Sequence, residues 1–379
     1  MTITLVVDSY KDASNGITMT TRRFAKVLAE KGHRVQIVAS SVESDEYVIG
    51  FQLGVSKIPI LYQVSKSQGF VFAKLNKELI KEAILKSDIV HFLLPFRIES
   101  YAKDICDEYH IPSTAAFHLQ PQNITSTLKL NKLNFVNDMI YSQFRKFYNR
   151  FTHVHCPSEM IANQLREHGY TSKLHVISNG VSPIFKKMDV VRDERLQGKF
   201  VILMIGRYSV EKRQDLIINA ILNSKYEKDI QLVLCGKGPW RKHLEELGQN
   251  LTNPIIFEFL NEEELVKMIN STDLYIHASD AEIEAISCIE AFTCGIVPII
   301  GDSKISATNQ FALTENNLFK QGDYLSLRDK IDYWYENPEA KRKASEEYIE
   351  YAKQFSLENS VNALEKVFYD TIEEYNESK

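Results

Sequence analysis

The chain has 379 residues, the length of two domains at about 150 residues each. Its 45 Lys and Arg against 50 Asp and Glu leave a net charge of −5, so no overall positive field exists to hold nucleic acid, and a nucleic-acid partner is excluded. With 44% hydrophobic and 25% charged residues, and only 15 Gly and 10 Pro, disordered and fibrous chains are excluded as well.

At the amino terminus, Met1 to Asp8 shows no basic stretch ahead of its short apolar run, which predicts no export signal. Ile3 to Val7 predicts a strand, Thr20 to Lys31 a helix and Val35 to Val38 a second strand, with Ser113 to Phe117 among the later strands. A second series opens at Val201 to Ile205 and runs through Ile230 to Leu234, Ile255 to Phe259 and Leu274 to His277 to close near Val297 to Ile300. Parallel strands need crossover helices on both faces, so each series predicts its own doubly wound α/β sheet. The polar stretch 182–198 is expected to link the two, and about 357–375 to form a last helix behind Ser356. Apolar blocks such as 89–96 and 201–205 fall far short of the roughly 20 residues that span a bilayer. The five cysteines, Cys106, Cys156, Cys235, Cys288 and Cys294, contain no C-x-x-C pair and read as buried thiols of a reducing cytoplasm.

Four places carry candidate chemistry. Asn15-Gly16 precedes the first helix, whose unpaired N–H groups suit a phosphate; a plain turn is the other reading. His118 ends a strand, a position that suits a ligand group, although a lone histidine there is more often a satisfied structural residue. In Gly206-Arg-Tyr-Ser-Val-Glu-Lys212, Arg207 and Lys212 leave a strand end and could neutralise a diphosphate, or else form a solvated loop with a Glu211–Lys212 surface pair. In 280–295, Glu282 follows a strand and Glu290 lies about two turns further along a helical pattern. Such a carboxylate needs a partner or a ligand, unless Glu282 and Glu284 serve the helix dipole and Glu290 sits on a wet flank. No D-x-D, H-E-x-x-H or Cys/His cluster is present, so no metal is expected.

Two basic, amphipathic stretches stand out in the first half. In 72–86, Phe72, Leu75, Leu79 and Ala83 fall on one helical face beside Lys74, Lys77, Lys81 and Lys86. Between Lys129 and Arg150, basic residues alternate with Phe135, Tyr141, Phe144, Phe147 and Tyr148. Each predicts peripheral association with an anionic membrane surface, or a stripe that faces the core.

Taken together, these motifs resemble the retaining glycosyltransferases of GT-B type, family four. The likeness rests on Asn15-Gly16 with Gly32-His33-Arg34-Val35, Phe117-His118, Val176 to Val181, Gly206-Arg207 with Lys212, Cys235-Gly-Lys-Gly-Pro239, and Glu282-x7-Glu290, in that order along nearly the whole chain. It implies two Rossmann-like domains facing across a cleft, an acceptor-side domain over 1–183 and a nucleotide-sugar-binding domain over 199–355, with 356–379 crossing back to the first. It also implies transfer of a hexose-type sugar, with retained anomeric configuration and no metal, from a nucleotide diphosphate sugar to an acceptor hydroxyl. No cofactor is implied beyond this donor, for which a UDP-sugar is the expected form. Arg207 and Lys212 would hold the diphosphate, Glu290 the ribose hydroxyls and Glu282 the sugar hydroxyls, while His118 and the Gly16 backbone would meet the donor from the first domain. The chain departs from the family where Glu284-Ala285 replace a common Phe-Gly whose backbone approaches the sugar. Where the basic stretches bind a membrane, the likeness implies a lipid or lipid-linked saccharide acceptor at the cytoplasmic face; otherwise a soluble glycan or small-molecule acceptor is expected. A noncatalytic GT-B-like partner subunit is the remaining alternative.

Overall fold

The computed structural model describes residues 1–11, 16–57, 62, 70–127 and 134–377. They form two compact units, one of Met1–Pro121, Leu130–Gly180 and Leu357–Lys379, the other of Gln122–Lys129 and Val181–Ser356.

In the first unit, seven strands make one parallel sheet: β1 (Thr2–Val6), β2 (Arg34–Ala39), β3 (Val48–Gln52), β4 (Ile89–Phe92), β5 (Ser113–Ala116), β6 (His153–Cys156) and β7 (Lys173–Val176), in the spatial order β3-β2-β1-β4-β5-β6-β7. Strands β4 and β6 are buried along their whole length and β1 from Ile3 onward, as both faces of a parallel sheet require. The unit's helices are α1 (Gly16–Glu30), α2 (Lys77–Leu85), α3 (Arg97–Glu108), α5 (Asn134–Tyr148) and α6 (Glu159–Glu167), whereas α4 (Pro121–Thr127), between β5 and α5 in the chain, belongs from Gln122 onward to the second unit. In α1, Thr18, Thr21, Phe24, Ala25 and Leu28 recur at helical spacing and pack on the sheet; burying Phe24 and Leu28 contributes about 1.5–3 kcal/mol each.

The amphipathic stretch 72–86 differs from its sequence reading. Helix α2 starts only at Lys77, capped by Asn76 Oδ1 accepting from Leu79 N, so Phe72 and Leu75 lie outside it. Its buried face is Ile80, Ala83 and Ile84. Three of the four lysines are engaged within the unit: Lys86 pairs with Glu82, Lys81 donates to the Tyr109 hydroxyl, and Lys77 lies over the Tyr101 ring, while Lys74 is exposed ahead of the helix. Along α5, Tyr141, Phe144, Phe147 and Tyr148 face the core, and Lys129 and Lys132 lie outside the described residues.

The second sheet has six parallel strands: β8 (Phe200–Ile205), β9 (Ile230–Cys235), β10 (Ile256–Glu258), β11 (Leu274–His277), β13 (Pro298–Asp302) and β15 (Leu318–Lys320), ordered β10-β9-β8-β11-β13-β15. A small pair, β12 (Ala281–Glu282) with β14 (Ile305–Ser306), lies apart from it. Helices α7 (Gln214–Leu222), α8 (Arg241–Leu247), α9 (Glu262–Asn270), α10 (Ile286–Thr293), α11 (Tyr324–Glu336) and α12 (Pro338–Ala352) cover the faces, and α9 opens on an Asn261/Glu264 capping box. Strand β15 adds one member beyond the last strand anticipated at 297–300.

The chain passes from the first unit to the second at Gly180–Val181 rather than within 182–198. That polar stretch is part of the second unit, anchored by buried Phe185 and Leu196 and by Met188 N donating to Asn270 Oδ1. The chain returns beside its exit: Val181 N donates to Phe355 O at 2.8 Å, and Gly180, at φ 71, lies where a Cβ would stand 2.6 Å from the Leu357 Cα. Only glycine fits there. Helix α13 (Leu357–Glu377) then lays Val361, Leu364 and Phe368 on the first unit and is tied down by His33–Glu365 at 2.7 Å and Lys173–Glu374 at 2.7 Å. All five cysteines are buried thiols, and among the described residues no helix is long and apolar enough to cross a membrane.

Candidate functional site

Both sheets reverse their strand order once, between β1 and β4 in the first unit and between β8 and β11 in the second. Loops diverge at such a point and leave a crevice at the carboxyl ends of the strands. In the second unit the loops after β8 and β11 carry Arg207, Lys212 and Glu282 to this place.

The loop after β8 is held by its neighbour. Gly206 N donates to Cys235 O at 2.9 Å and Tyr208 N to Lys237 O at 3.0 Å. A Cβ on Gly236 would fall 2.0 Å from the Gly206 carbonyl oxygen, so the Gly-Lys-Gly run is demanded by this close approach. Arg207 Nη2 donates to Glu211 Oε1 at 2.9 Å, and the Ser209 hydroxyl donates to the same oxygen at 2.6 Å. Burial would raise the Glu211 carboxyl, but the Ser209 hydrogen bond and Arg207 bring it below its ordinary pKa. Glu211 therefore serves Arg207, and no Glu211–Lys212 surface pair forms.

Lys212 instead donates to Glu282 Oε1, 70 residues away in sequence. Their side chains are 19% and 12% exposed, so the pair is largely withdrawn from water. Arg213 follows at φ 55, a left-handed conformation that a non-glycine residue adopts only under constraint. The constraint is visible: Arg213 Nη1 donates to Asp280 Oδ1 at 3.3 Å and its Nε to Asp215 Oδ1 at 3.1 Å, while Asp280 N donates to Glu211 O at 2.8 Å. Asp280 thus clasps the two loops together on either side of Lys212 and Glu282.

A second donor reaches Glu282 from the strand itself. His277, buried at the end of β11, has Nε2 at 3.1 Å from Glu282 Oε1 and Nδ1 at 3.2 Å from the Tyr275 hydroxyl. Burial pushes the His277 imidazole below its ordinary pKa despite the pull of Glu282. At Glu282, burial acts upward, yet Lys212 and the His277 hydrogen bond prevail and hold the carboxyl well below the usual range. It is an anion at neutral pH. Ala285, at φ 66, stands at the entrance of α10, and Glu290 lies within that helix, buried rather than on a wet flank. Glu284 is buried as well. Two of the three non-glycine residues with positive φ among the described residues, Arg213 and Ala285, therefore border this site.

The first unit holds the remaining candidates. His118 ends the β5 segment, buried, with its ring edge-on to His155 at 5.3 Å; burial and the neighbouring His155 and His91 push its pKa well below the ordinary value. Gly16 opens α1 with open space where a Cβ would be, and Asn15 lies outside the described residues. At the β1–β4 reversal, Asp8 and Glu99 bring two buried carboxyls into contact, and Asp8 Oδ1 accepts from Ala73 N at 2.7 Å. Among the described residues no three His, Cys, Asp or Glu side chains are arranged to hold a metal ion.

Sequence reasoning missed Tyr275, His277, Asp280 and the Asp8–Glu99 pair. A signal for the first two was present, since alternation in Leu-Tyr-Ile-His puts Tyr275 and His277 on one face of β11, aimed at the same loop.

These features define a two-unit α/β protein with a largely buried Lys212–Glu282 ion pair at a strand-order reversal. The chain matches "Glycosyl transferases group 1" over residues 189–355 and "Glycosyltransferase Family 4" over residues 14–184. It belongs to the group 1, family-four glycosyltransferases and has their GT-B fold. It is similar to the alpha-monoglucosyldiacylglycerol synthase of Streptococcus pneumoniae, 24% identical over 79% of this chain and 70% of that protein. Likeness to the N-acetyl-alpha-D-glucosaminyl L-malate synthase of Bacillus anthracis extends over 92% of both chains at 24% identity. In fold it is similar to the sucrose-phosphate synthase of Thermosynechococcus elongatus, with a TM-score of 0.79 over 97% of this chain and 98% of that one at 16% identity.

Proposed function

We propose that this glycosyltransferase is nucleotide-sugar dependent and retaining, and moves a hexose-type sugar from a nucleoside diphosphate, with UDP the expected form, to an acceptor hydroxyl. The observation that carries the reading is the Lys212–Glu282 pair at the β8–β11 reversal, with Arg207 on the same loop as Lys212. Arg207 and Lys212 supply the charge that a departing diphosphate needs, and Glu282 and Glu290 are acceptors suited to sugar and ribose hydroxyls. The bond from the sugar's anomeric carbon to the phosphate oxygen breaks, with its electron pair leaving on that oxygen. The acceptor hydroxyl attacks the same face of the oxocarbenium-like centre and gives its proton to the departing phosphate oxygen, so configuration is retained without an enzymic nucleophile. Glu284 and Ala285 border the sugar, and His118 and the Gly16 backbone are assigned to the same donor. No step calls for a metal.

A lipid hydroxyl is the acceptor we favour, supported by the likeness to a diacylglycerol-modifying synthase and by Phe135 and Met139, 67% and 57% exposed one turn apart on α5. Peripheral binding to an anionic membrane belongs to this reading and rests on α5, since the lysines of α2 have partners within the unit. A small soluble acceptor is the second reading, supported by the malate-modifying relative. The test is a thermal-shift screen of UDP- and GDP-sugars, followed by transfer from the best binder to diacylglycerol in anionic vesicles and to hydroxy acids in solution. Stabilisation by no nucleotide sugar refutes the reading, and transfer in one acceptor arm alone decides the acceptor.

A further inference from the structure

His277 and Tyr275 form a buried polar chain that the transfer chemistry above does not use. Both side chains are fully enclosed. Tyr275 Oη lies 3.2 Å from His277 Nδ1 and 3.0 Å from Ser287 Oγ, and Ser287 Oγ lies 3.4 Å from the Ile205 carbonyl at the end of β8. The groups facing His277 are Tyr275 on its own strand, Glu282 on the following loop and Lys212 on the loop after β8. A carboxylate only accepts, so the proton of a neutral His277 sits on Nε2 and is donated to Glu282. Nδ1 must then accept, and the group it meets is the Tyr275 hydroxyl, whose one proton lies between Nδ1 and Ser287 Oγ. The imidazole thus stands between Tyr275 and Glu282, and its Nε2–H reaches Oε1, the oxygen that Lys212 also holds. Among the described residues nothing donates to Oε2.

We infer that His277, backed by Tyr275, is a positioning residue that holds Glu282 by Oε1 and presents Oε2 to the hydroxyls of the donor sugar. This rests on the reading of Glu282 as a sugar contact. When a diphosphate draws the charge of Lys212, Glu282 would otherwise lose its main tether; the strand-borne imidazole stays. Its rigidity is that of β11, paired on both sides, which is where a group that must hold another within a fraction of an ångström belongs.

The test uses the full chain, the donor sugar found in the screen above, and UDP, or GDP if the donor is a GDP-sugar, as a sugarless probe. His277→Leu should lower kcat/KM for the donor by about 10- to 100-fold, as expected for a slightly misplaced contact group. Affinity for the sugarless nucleotide should stay within about twofold, because the probe has no sugar for Oε2 to meet. The acid limb of the pH–rate profile should move upward, since Glu282 loses one of the donors that keep it ionised. His277→Gln, which restores an N–H near the Nε2 position, should recover most of the rate. Tyr275→Phe should lower kcat/KM by several-fold with nucleotide affinity unchanged, and it decides the matter should His277→Leu not fold. Wild-type turnover in the Leu or Phe variant, or equal loss of nucleotide and nucleotide-sugar binding, overturns the inference. A wild type that binds no nucleotide sugar refutes instead the functional reading beneath it.

Discussion

Replacing Lys212 by Met keeps the length of the side chain, removes its charge and leaves Glu282 with His277 as its remaining described donor. Breaking a fully buried ion pair from one side costs about 3–5 kcal/mol. Because these side chains are 19% and 12% exposed, water screens part of the stranded charge, and about 2–3 kcal/mol is the expected loss. For a unit of this size that lowers the melting temperature by about 5–10 °C. The sign of the pH dependence follows from Glu282. Its folded pKa lies below the ordinary 4.5, so its stabilisation is complete above that value and is lost as pH falls through the depressed one. The deficit of Lys212→Met should therefore be full near pH 7 and shrink below about pH 4.5, as the carboxyl in the variant takes up a proton. Adding Glu282→Gln removes the stranded charge and should recover most of the melting temperature. Turnover should remain at least about a hundredfold down in both, since a charge-assisted contact to a leaving diphosphate is worth about 3 kcal/mol. Calorimetry near pH 7 and pH 4, with initial rates on the donor, measures all of this. A Lys212→Met protein that melts with the wild type near pH 7, or a double variant no more stable than the single one, would show that the pair is not the buried contact argued here.

Three further outcomes are expected. In the first unit, burial raises the Asp8 carboxyl to about 7 and pushes Glu99 well up, so stability is fullest at acid pH and is lost as pH climbs from about 4 through about 7; Asp8→Asn, whose amide can donate permanently to Glu99, should flatten this slope and melt higher than wild type near pH 8, which thermal scans across pH will check. Ala285→Gly relieves a left-handed residue at φ 66 and should stabilise the second unit by about 1 kcal/mol, read as a rise of a few degrees in its melting transition; a fall would mean that the methyl group packs favourably there. Transfer should persist in excess EDTA because Arg207 and Lys212 supply the positive charge; complete loss on chelation, restored by Mg2+, would assign their role to a metal.

Local pattern was enough for the architecture. Runs such as Phe200 to Ile205 and the helical recurrence of Thr21, Phe24, Ala25 and Leu28 are short-range signals, so two β/α series could be read before any contact was known. The Glu282-x7-Glu290 spacing placed one carboxylate at a strand end and the other inside a helix for the same reason. What could not be read locally are the partners. A strand-end lysine looks like an exposed cation whose loss the fold tolerates, yet Lys212 meets Glu282 only because β8 and β11, far apart in the chain, are neighbours in the sheet. Asp8 meets Glu99 because β1 lies beside β4. The left-handed Arg213 and Ala285 defy residue preference and are chosen by contacts such as Arg213 with Asp280. Periodicity reports which face of an element is buried, but strand order, set by right-handed crossovers between distant segments, chooses which loops converge, and with them which charges share the low-dielectric crevice.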